Sequence, residues 1–286
     1  GEAVSIMVDK ANIAADTIKN NYDCCVAYYD EHLLEISIEQ RRLLGEFEPA
    51  LQNDEFVMYL QPQVKRDGAA KGAEALVRWV HPSRGILTPY AFIDILENAG
   101  LIYKLDLYIW EKAAQKLAEW KEKGYGSYHI SVNISTKDFY IIDIYETFTG
   151  LINKYGIAAS NLHLEITETT LMTDFEKNMN IIHKLQGVGF RVEIDDFGSG
   201  YSSLNMLKDI SADVLKIDMG FLRKSENEVK GQDILESIIT LAGKIGMDVI
   251  TEGVETKKQL DMLTMMGCHE FQGYYFSKPL PQKEYA

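Results

Sequence analysis

The chain is predicted to be an α/β protein, a closed (β/α)8 barrel of TIM type that a hairpin makes irregular at its start, with a short N-terminal segment before it. Three observations carry this. From about residue 55 onward, strand-like and helical runs alternate, which implies parallel strands joined by right-handed crossovers. Eight strand candidates occur in that stretch, the number that closes such a sheet on itself. Acidic residues stand where apolar runs stop, at Glu74, Glu165, Glu168, Asp195, Asp196 and Glu252, and the strand ends of a barrel are where side chains converge.

The elements follow in order. FVMYLQPQV (56–64) and GAEALVRWV (72–80) flank Asp67-Gly68, a hairpin turn signal. TPYAFIDILENAG reads as a helix with Thr88 as N-cap and Pro89 in its first turn. LIYKLDLYIWEKAAQKLAEWKEKG is a second helix, with Leu105, Ile109 and Leu117 on its apolar stripe. The alternation then becomes regular. HISVNIS (129–135) is a strand and KDFYIIDIYETFTGLINKYG a helix. NLHLEITE (161–168) is a strand and DFEKNMNIIHKLQGVG a helix. FRVEIDDF (190–197) is a strand closed by Gly198-Ser199-Gly200, with a short helix YSSLNMLKDI after it. DVLKIDMGF (213–221), DVITEGVE (248–255) and EFQGYYF (270–276) are the remaining strands, separated by helices QDILESIITLAGKIG and TKKQLDMLTMMG. Residues 1–45 hold a helix (MVDKANIAADTIKNN), a strand-like CCVAYYDE and the start of a charged helix, too little for a core of their own. They read as the tail of an upstream domain plus a connecting helix, with the barrel over 46–286. The start at Gly1-Glu2-Ala3, without Met, suggests a segment cut from a longer chain.

The formal net charge of -14 disfavours non-specific binding of long nucleic acid, which needs many Lys/Arg–phosphate contacts. A small anionic substrate remains compatible with it, since a bound metal reverses the local field. Cys24, Cys25 and Cys268 have no zinc-finger spacing, and an adjacent pair is a poor disulfide candidate; this fits a reducing cytoplasm. No apolar stretch approaches the roughly 20 residues of a membrane helix, so no membrane contact is expected from this segment, although the full-length protein is free to be anchored elsewhere. No HxxxH pair and no G-x-S-x-G elbow occurs, which disfavours zinc and serine hydrolases.

Crowded carboxylates require a cation, and hard divalent ions take oxygen ligands. Glu74, Asn133, Glu165 and the Asp195-Asp196 pair offer such oxygens from four successive strand ends. Two consecutive aspartates serve one site only where a strand is breaking, and Gly198 and Gly200 follow at once. Taken alone, the aspartate pair is also a turn or cap, Asn133 a satisfied core amide, and Lys216 the partner of either the carboxylate cluster or Asp218. Glu252 and Glu255, around Gly253-Val254, suit a base or second-metal ligand, or a helix N-terminus. Arg78 shares a strand face with Glu74 and suits either a phosphate clamp or a surface ion pair. Gln61 and Gln272 stand on strands and suit a base edge or a bound water. The residues together predict a divalent-metal site for phosphate-ester hydrolysis.

The ordered set YLQPQV, EALVRW, SVNIS, EITE, DDFGSGYSSL, LKID, VITEGVET and QGYYFSKPL resembles the EAL domain over about residues 47–281. The resemblance implies a modified TIM-type barrel with an antiparallel first strand, and metal-dependent opening of cyclic di-GMP to linear pGpG. It implies Glu74, Asn133, Glu165 and Asp195 as ligands of a first Mg²⁺ or Mn²⁺, with Asp195 bridging to a second ion beside Asp196 and Glu252. It implies Lys216 orienting the attacking water with Glu252 assisting as base, and Glu168 holding the DDFGSG loop. Gln61 and Arg78 would contact substrate, and Glu255 and Gln272 would complete the site. A homodimer is expected from the same resemblance. The departures, Ser199 for the usual Thr and Thr251 for the usual Ala, remove no ligand. The N-terminal segment resembles the end of a GGDEF domain without its catalytic signature. The alternative function is a cyclic di-GMP receptor that binds without turnover; a purely structural barrel leaves the carboxylates unexplained.

Overall fold

Two antiparallel strands start the barrel. β1 (Phe56–Lys65) and β2 (Ala70–His81) are joined at Asp67-Gly68, where Gly68 takes φ +81 and the Asp67 carboxylate accepts from the Ala69 amide at 3.0 Å. The computed structural model describes residues 4–19, 25–197, 210–218, 220 and 228–285. β4 (His129–Ile134), β5 (Leu162–Thr167), β6 (Arg191–Asp195), β7 (Val214–Asp218), β8 (Asp248–Glu252) and β9 (Glu270–Phe271) follow β2 in parallel. β9 then pairs antiparallel with β1 and closes the ring. The closed α/β barrel read from the sequence is therefore the fold, and β1 is its antiparallel member. Short β3 (Gly85–Leu87) and β10 (Leu280–Pro281) extend the edges of β2 and β1.

The helices bounded among the described residues are α1 (Val4–Asp16), α2 (Glu31–Gln52), α3 (Ile93–Asn98), α4 (Ile102–Glu122), α5 (Asp138–Ile141), α6 (Ile144–Tyr155), α7 (Glu168–Thr173), α8 (Phe175–Val188), α9 (Glu228–Lys244) and α10 (Lys257–Met265). Local chemistry sets their ends. Asp30 caps α2 by accepting from the Leu33 amide, and Thr256 and Gln259 form a reciprocal capping box on α10. None of the helices among the described residues is long and apolar enough to cross a membrane.

Side chains alternate along each strand, and the alternation divides two environments. Ile130, Val132 and Ile134 of β4, Leu162, Leu164 and Ile166 of β5, and Val192 and Ile194 of β6 join the buried apolar core with Trp110, Leu117, Phe148, Ile182 and Leu185 of the helices. The residues between them, Ser131, Asn133, His163, Glu165, Glu193 and Asp195, are polar. A second part of the core gathers Phe47, Phe56, Trp79 and Phe92 edge to face and tilted, with ring centroids 4.8–5.9 Å apart. It seats the C-terminal half of α2 on the barrel. His81, at the end of β2, is buried there with Nε2 2.9 Å from Glu46 of that helix.

Several boundaries differ from expectation. The final strand is Glu270–Phe271 rather than 270–276, because Gly273 crosses the Val254 backbone so closely that no Cβ fits between them. The helix expected from KDFYIIDIYETFTGLINKYG breaks into α5 and α6, as Asp143 turns extended to cap the second. Residues 25–30 of the CCVAYYDE run form no strand. The Gly198-Ser199-Gly200 turn, most of YSSLNMLKDI, Cys24 and the end of DVLKIDMGF lie outside the described residues.

Trp79 is fully buried against three aromatic neighbours and donates its indole N–H to Glu55. Trp79→Ala is expected to cost about 3–5 kcal/mol of folding stability, measured by urea unfolding; a loss within about 0.5 kcal/mol would show that this cluster does not hold the hairpin to α2.

Candidate functional site

Lys216 stands on β7 with its neighbours Leu215 and Ile217 in the apolar core. Its ammonium points the other way, into the barrel, and is 1% exposed. It lies 2.7 Å from Glu252 Oε1, 2.9 Å from Glu165 Oε1, 3.3 Å from Asp195 Oδ1 and 3.6 Å from Glu74 Oε2. Four carboxylates from β2, β5, β6 and β8 thus meet on one lysine. Asp218, the other partner considered for Lys216, instead accepts from the Gly220 amide at 2.7 Å.

The electrostatics follow from this crowding. Burial works against the charge of Lys216, but Asp195, Glu165, Glu252 and Glu74 outweigh it and hold the ammonium well above the usual lysine range. Burial pushes Glu252 up to about 8 against the pull of Lys216. Burial and then the negative field of Glu74 raise Glu165 well above the usual carboxylate range. Burial and the neighbouring Asp195 raise Asp196. β6 ends at Asp195, and Asp196 takes φ +54, the strand break that two adjacent aspartates need in order to face one region.

The remaining residues singled out in the sequence surround this cluster at different depths. The Gln272 amide donates to Glu74 Oε2, and to Gln61 Oε1 at 3.2 Å. The Asn133 amide is exposed at the barrel mouth, with Nδ2 3.5 Å from Glu74 Oε1, and its backbone carbonyl is held by Trp110 Nε1 at 2.9 Å. Arg78 is half-buried, with its guanidinium 5.5 Å from the centre of the Tyr59 ring and Nη1 2.7 Å from the Val77 carbonyl. Burial lowers Arg78, while Tyr274, Tyr59 and Glu74 oppose that lowering. Glu168 is the first residue of α7; much of the loop it is expected to hold lies outside the described residues. Glu255 is exposed on the turn before α10, its amide bonded to Gln259 Oε1 at 2.9 Å.

The donor set suits divalent ions. All the proposed ligands offer oxygen; Glu165 Oε2 is buried with no partner among the described residues, and Glu165 Oε1, Asp195 Oδ1 and Glu252 Oε1 share the single Lys216 ammonium. Such unsatisfied oxygens are costly unless a cation takes them.

A second polar layer lies one pleat below and escaped the sequence reading. His163 Nδ1 bonds Glu193 Oε1 at 2.5 Å, Ser131 Oγ donates to the same oxygen at 3.2 Å, and His129 Nε2 is 2.6 Å from Gln63 Oε1. All five side chains are buried. Burial raises Glu193, but the bond and charge of His163 overcome it and leave the carboxyl at about 2. Burial and the neighbouring His163 lower His129 to about 3, so it is neutral and donates to Gln63. The layer has no room to spare: a Cβ on Gly72 would overlap the His129 ring. His129, His163 and Glu193 also bring three atoms able to ligate a metal within 4.8 Å of one another. Their present arrangement does not suit one shared ion. The two imidazoles stack at 3.8 Å with 3° between their planes, and a metal lies in the plane of each ring that binds it. The available signal was a charged residue mid-strand, Glu193 in FRVEID, two positions before Asp195 and on the same face.

Comparison with known proteins gives a consistent picture. The EAL domain model matches residues 45–279. The chain is 32% identical over 272 residues to the bifunctional diguanylate cyclase/cyclic di-GMP phosphodiesterase MucR of Pseudomonas aeruginosa, covering 95% of this chain and 39% of that protein. It is 33% identical over 232 residues to the cyclic di-GMP phosphodiesterase PdeR of Escherichia coli, covering 81% of this chain and 35% of that protein. The chain thus spans little more than a third of the length of these relatives. Among solved structures, the phosphodiesterase PaMucR in complex with c-di-GMP superposes with a TM-score of 0.81 at 33% identity, covering 86% of this chain and 100% of that one.

Removing the ammonium isolates four carboxylates. Lys216→Met is expected to destabilise the metal-free protein by about 3–5 kcal/mol at neutral pH, and adding Glu165→Gln should recover part of the loss. Urea melts of the single and double variants read this; a double variant less stable than the single one would show that repulsion among these groups is not the cause.

Proposed function

We propose a function from one premise: this chain belongs to the EAL domain family. It hydrolyses cyclic di-GMP to linear 5′-pGpG, with Mg²⁺ or Mn²⁺, two ions per site, held at the mouth of the barrel. The observation that carries this reading is the meeting of Glu74, Glu165, Asp195 and Glu252 on Lys216. It supports a site that gathers negative charge and supplies oxygen donors for cations.

Glu74, Asn133, Glu165, Asp195, Asp196 and Glu252 hold the ions. When bound, the ions polarise the phosphoryl group and acidify a water. Lys216 donates hydrogen bonds that orient the attacking water, and its positive charge offsets the negative charge that develops on the phosphoryl oxygens. Glu252, 2.7 Å from Lys216, accepts a proton from that water. Gln61 and Gln272 hydrogen-bond substrate, Arg78 clamps a phosphate, Glu255 completes the rim, and Glu168 supports the loop after Asp196. On the same reading residues 1–45 are the end of a GGDEF-like domain and a connecting helix, residues 46–286 are the catalytic barrel, and the full-length protein works in the cytoplasm as a homodimer under an upstream domain.

The deciding experiment incubates the protein with cyclic di-GMP and Mn²⁺ and separates the products. Linear pGpG supports the enzyme. Bound but unchanged nucleotide means a receptor and ends the hydrolase reading.

Glu74→Ala removes one oxygen ligand and one repelling charge. It is expected to lower turnover by at least about 10²-fold and to weaken Mn²⁺ binding while leaving the melting temperature unchanged or higher. Undiminished turnover would remove Glu74 from the site.

Ca²⁺ is larger, accepts more ligands at longer distances and acidifies water less. Nucleotide binding in Ca²⁺ without turnover is expected, together with inhibition that added Mg²⁺ relieves. Full activity in Ca²⁺ alone would contradict a site built for small ions.

A further inference from the structure

The joint between α4 and the turn after β4 holds a second pair of carboxyl groups, away from the cluster around Lys216. Asp138 opens α5 and is fully buried. Its Oδ2 accepts two hydrogen bonds at 2.9 Å, from the amide and the hydroxyl of Ser135. Its Oδ1 accepts from no donor among the described residues, and neither does Asp106 Oδ2 on α4, although both atoms are buried. The two carboxyl groups are close enough to hydrogen-bond each other, and Ser135 also reaches Asp106. Carboxylates are acceptors only, so a bond between two of them requires a proton on one.

The proton belongs on Asp106. Burial and the negative field of Asp138 push Asp106 well above the usual carboxylate range, against a smaller pull from a Ser135 hydrogen bond. Asp138 is also raised by burial, but its bonds from Asp106 and Ser135 favour its ionised form. The groups around the pair offer little relief. Glu97 of α3 adds negative charge and is itself raised by burial, Asp94 and Asp138, with Lys137 opposing.

The joint lies directly behind Asn133. Ser135 is two residues beyond it, and Trp110, one turn past Asp106 on α4, donates to the Asn133 carbonyl at 2.9 Å. Helix α4 therefore meets the end of β4 through the Trp110 indole N–H and the turn beyond it through the Asp106 carboxyl.

We propose that Asp106 and Asp138 are positioning residues for Asn133, sharing one proton that fastens the turn 135–138 to α4. Loss of the proton sets two anions against each other and loosens that turn. The functional consequence rests on the metal-ligand role given to Asn133 above; the shared proton does not. The unfolded Asp106 ionises near 3.8, whereas the folded one keeps its proton to higher pH. The fastening is thus complete in acid and is lost as pH rises through the folded value.

Asp106→Asn tests this, because an amide N–H donates to Asp138 at any pH. Asp138→Asn is the second variant, with its amide oxygen toward Ser135 and its N–H₂ toward Asp106. Hydrogen exchange of residues 131–138 is compared between wild type and each variant, without metal, at pH 5.5 and 8.5. Comparison at one pH cancels the intrinsic exchange rate. Wild-type protection is expected to match the variants at pH 5.5 and to fall at least about threefold below them at pH 8.5. The melting temperature should rise by about 2–4 °C more in the variants at the higher pH. Wild-type-to-variant ratios that are the same at both pH values would overturn the shared proton. Mn²⁺ titrations of the same proteins separate the two readings. A wild type that binds no Mn²⁺ removes the metal site, whatever the exchange data say. Variants that gain protection at pH 8.5 but no Mn²⁺ affinity over wild type remove the positioning role.

Discussion

Lys216 is the interaction on which the barrel mouth depends. Four carboxylates from four strands approach one ammonium that is itself closed to water, and each would repel the others without it. The strands cannot separate to relieve the repulsion, since their outer faces are locked into the apolar core and their backbones into a closed ring. The lysine therefore allows the ligand set to be preassembled, with one ammonium shared among four carboxylates and Glu165 Oε2 left without a partner among the described residues. A stable ring thus carries a local excess of negative charge at one end, and cations are drawn there for the same reason that the metal-free state is strained.

The interior below is unusual for a buried space because it is polar. Ser131, His163, Glu193, His129 and Gln63 are linked by hydrogen bonds in a layer under the carboxylates, with Gln63 Nε2 and Glu193 Oε2 left without a partner among the described residues. Each of Ser131, His163 and Glu193 is two residues before a proposed ligand, Asn133, Glu165 or Asp195, on the same strand face. The bonds of the lower layer thus restrain the backbone that presents the upper one. His129 is neutral and Glu193 anionic, held apart in protonation by their different partners.

Much of this was legible in the sequence because the period of a strand is two and that of a helix is 3.6. Alternation over HISVNI, LHLEIT and RVEID marked strands, and the acids at their ends marked one rim of the barrel. What was not legible depended on tertiary contact. The last strand stopped short because Gly273 meets the Val254 backbone, which nothing in EFQGYYF announces. One expected helix became two because Asp143 caps instead of continuing. Glu193 and His163 lay in plain view as polar residues inside strands, but their pairing needed the register of β5 against β6. Asp106 and Asp138 are 32 positions apart in the numbering, and neither is out of place in a helix.

Gly72 and His129 face each other across β2 and β4, and the imidazole fills the space where a side chain at position 72 would begin. The two positions are therefore epistatic. A larger residue at 72 is tolerated only after 129 has shrunk, and a smaller residue at 129 opens a void that only a larger 72 can fill. The intermediate in either order carries a clash or a cavity beneath the ligand layer. An evolutionary path between alternative fillings of this floor has to cross that barrier in one double step or with stability held in reserve elsewhere, so the floor is expected to drift more slowly than the surface loops above it.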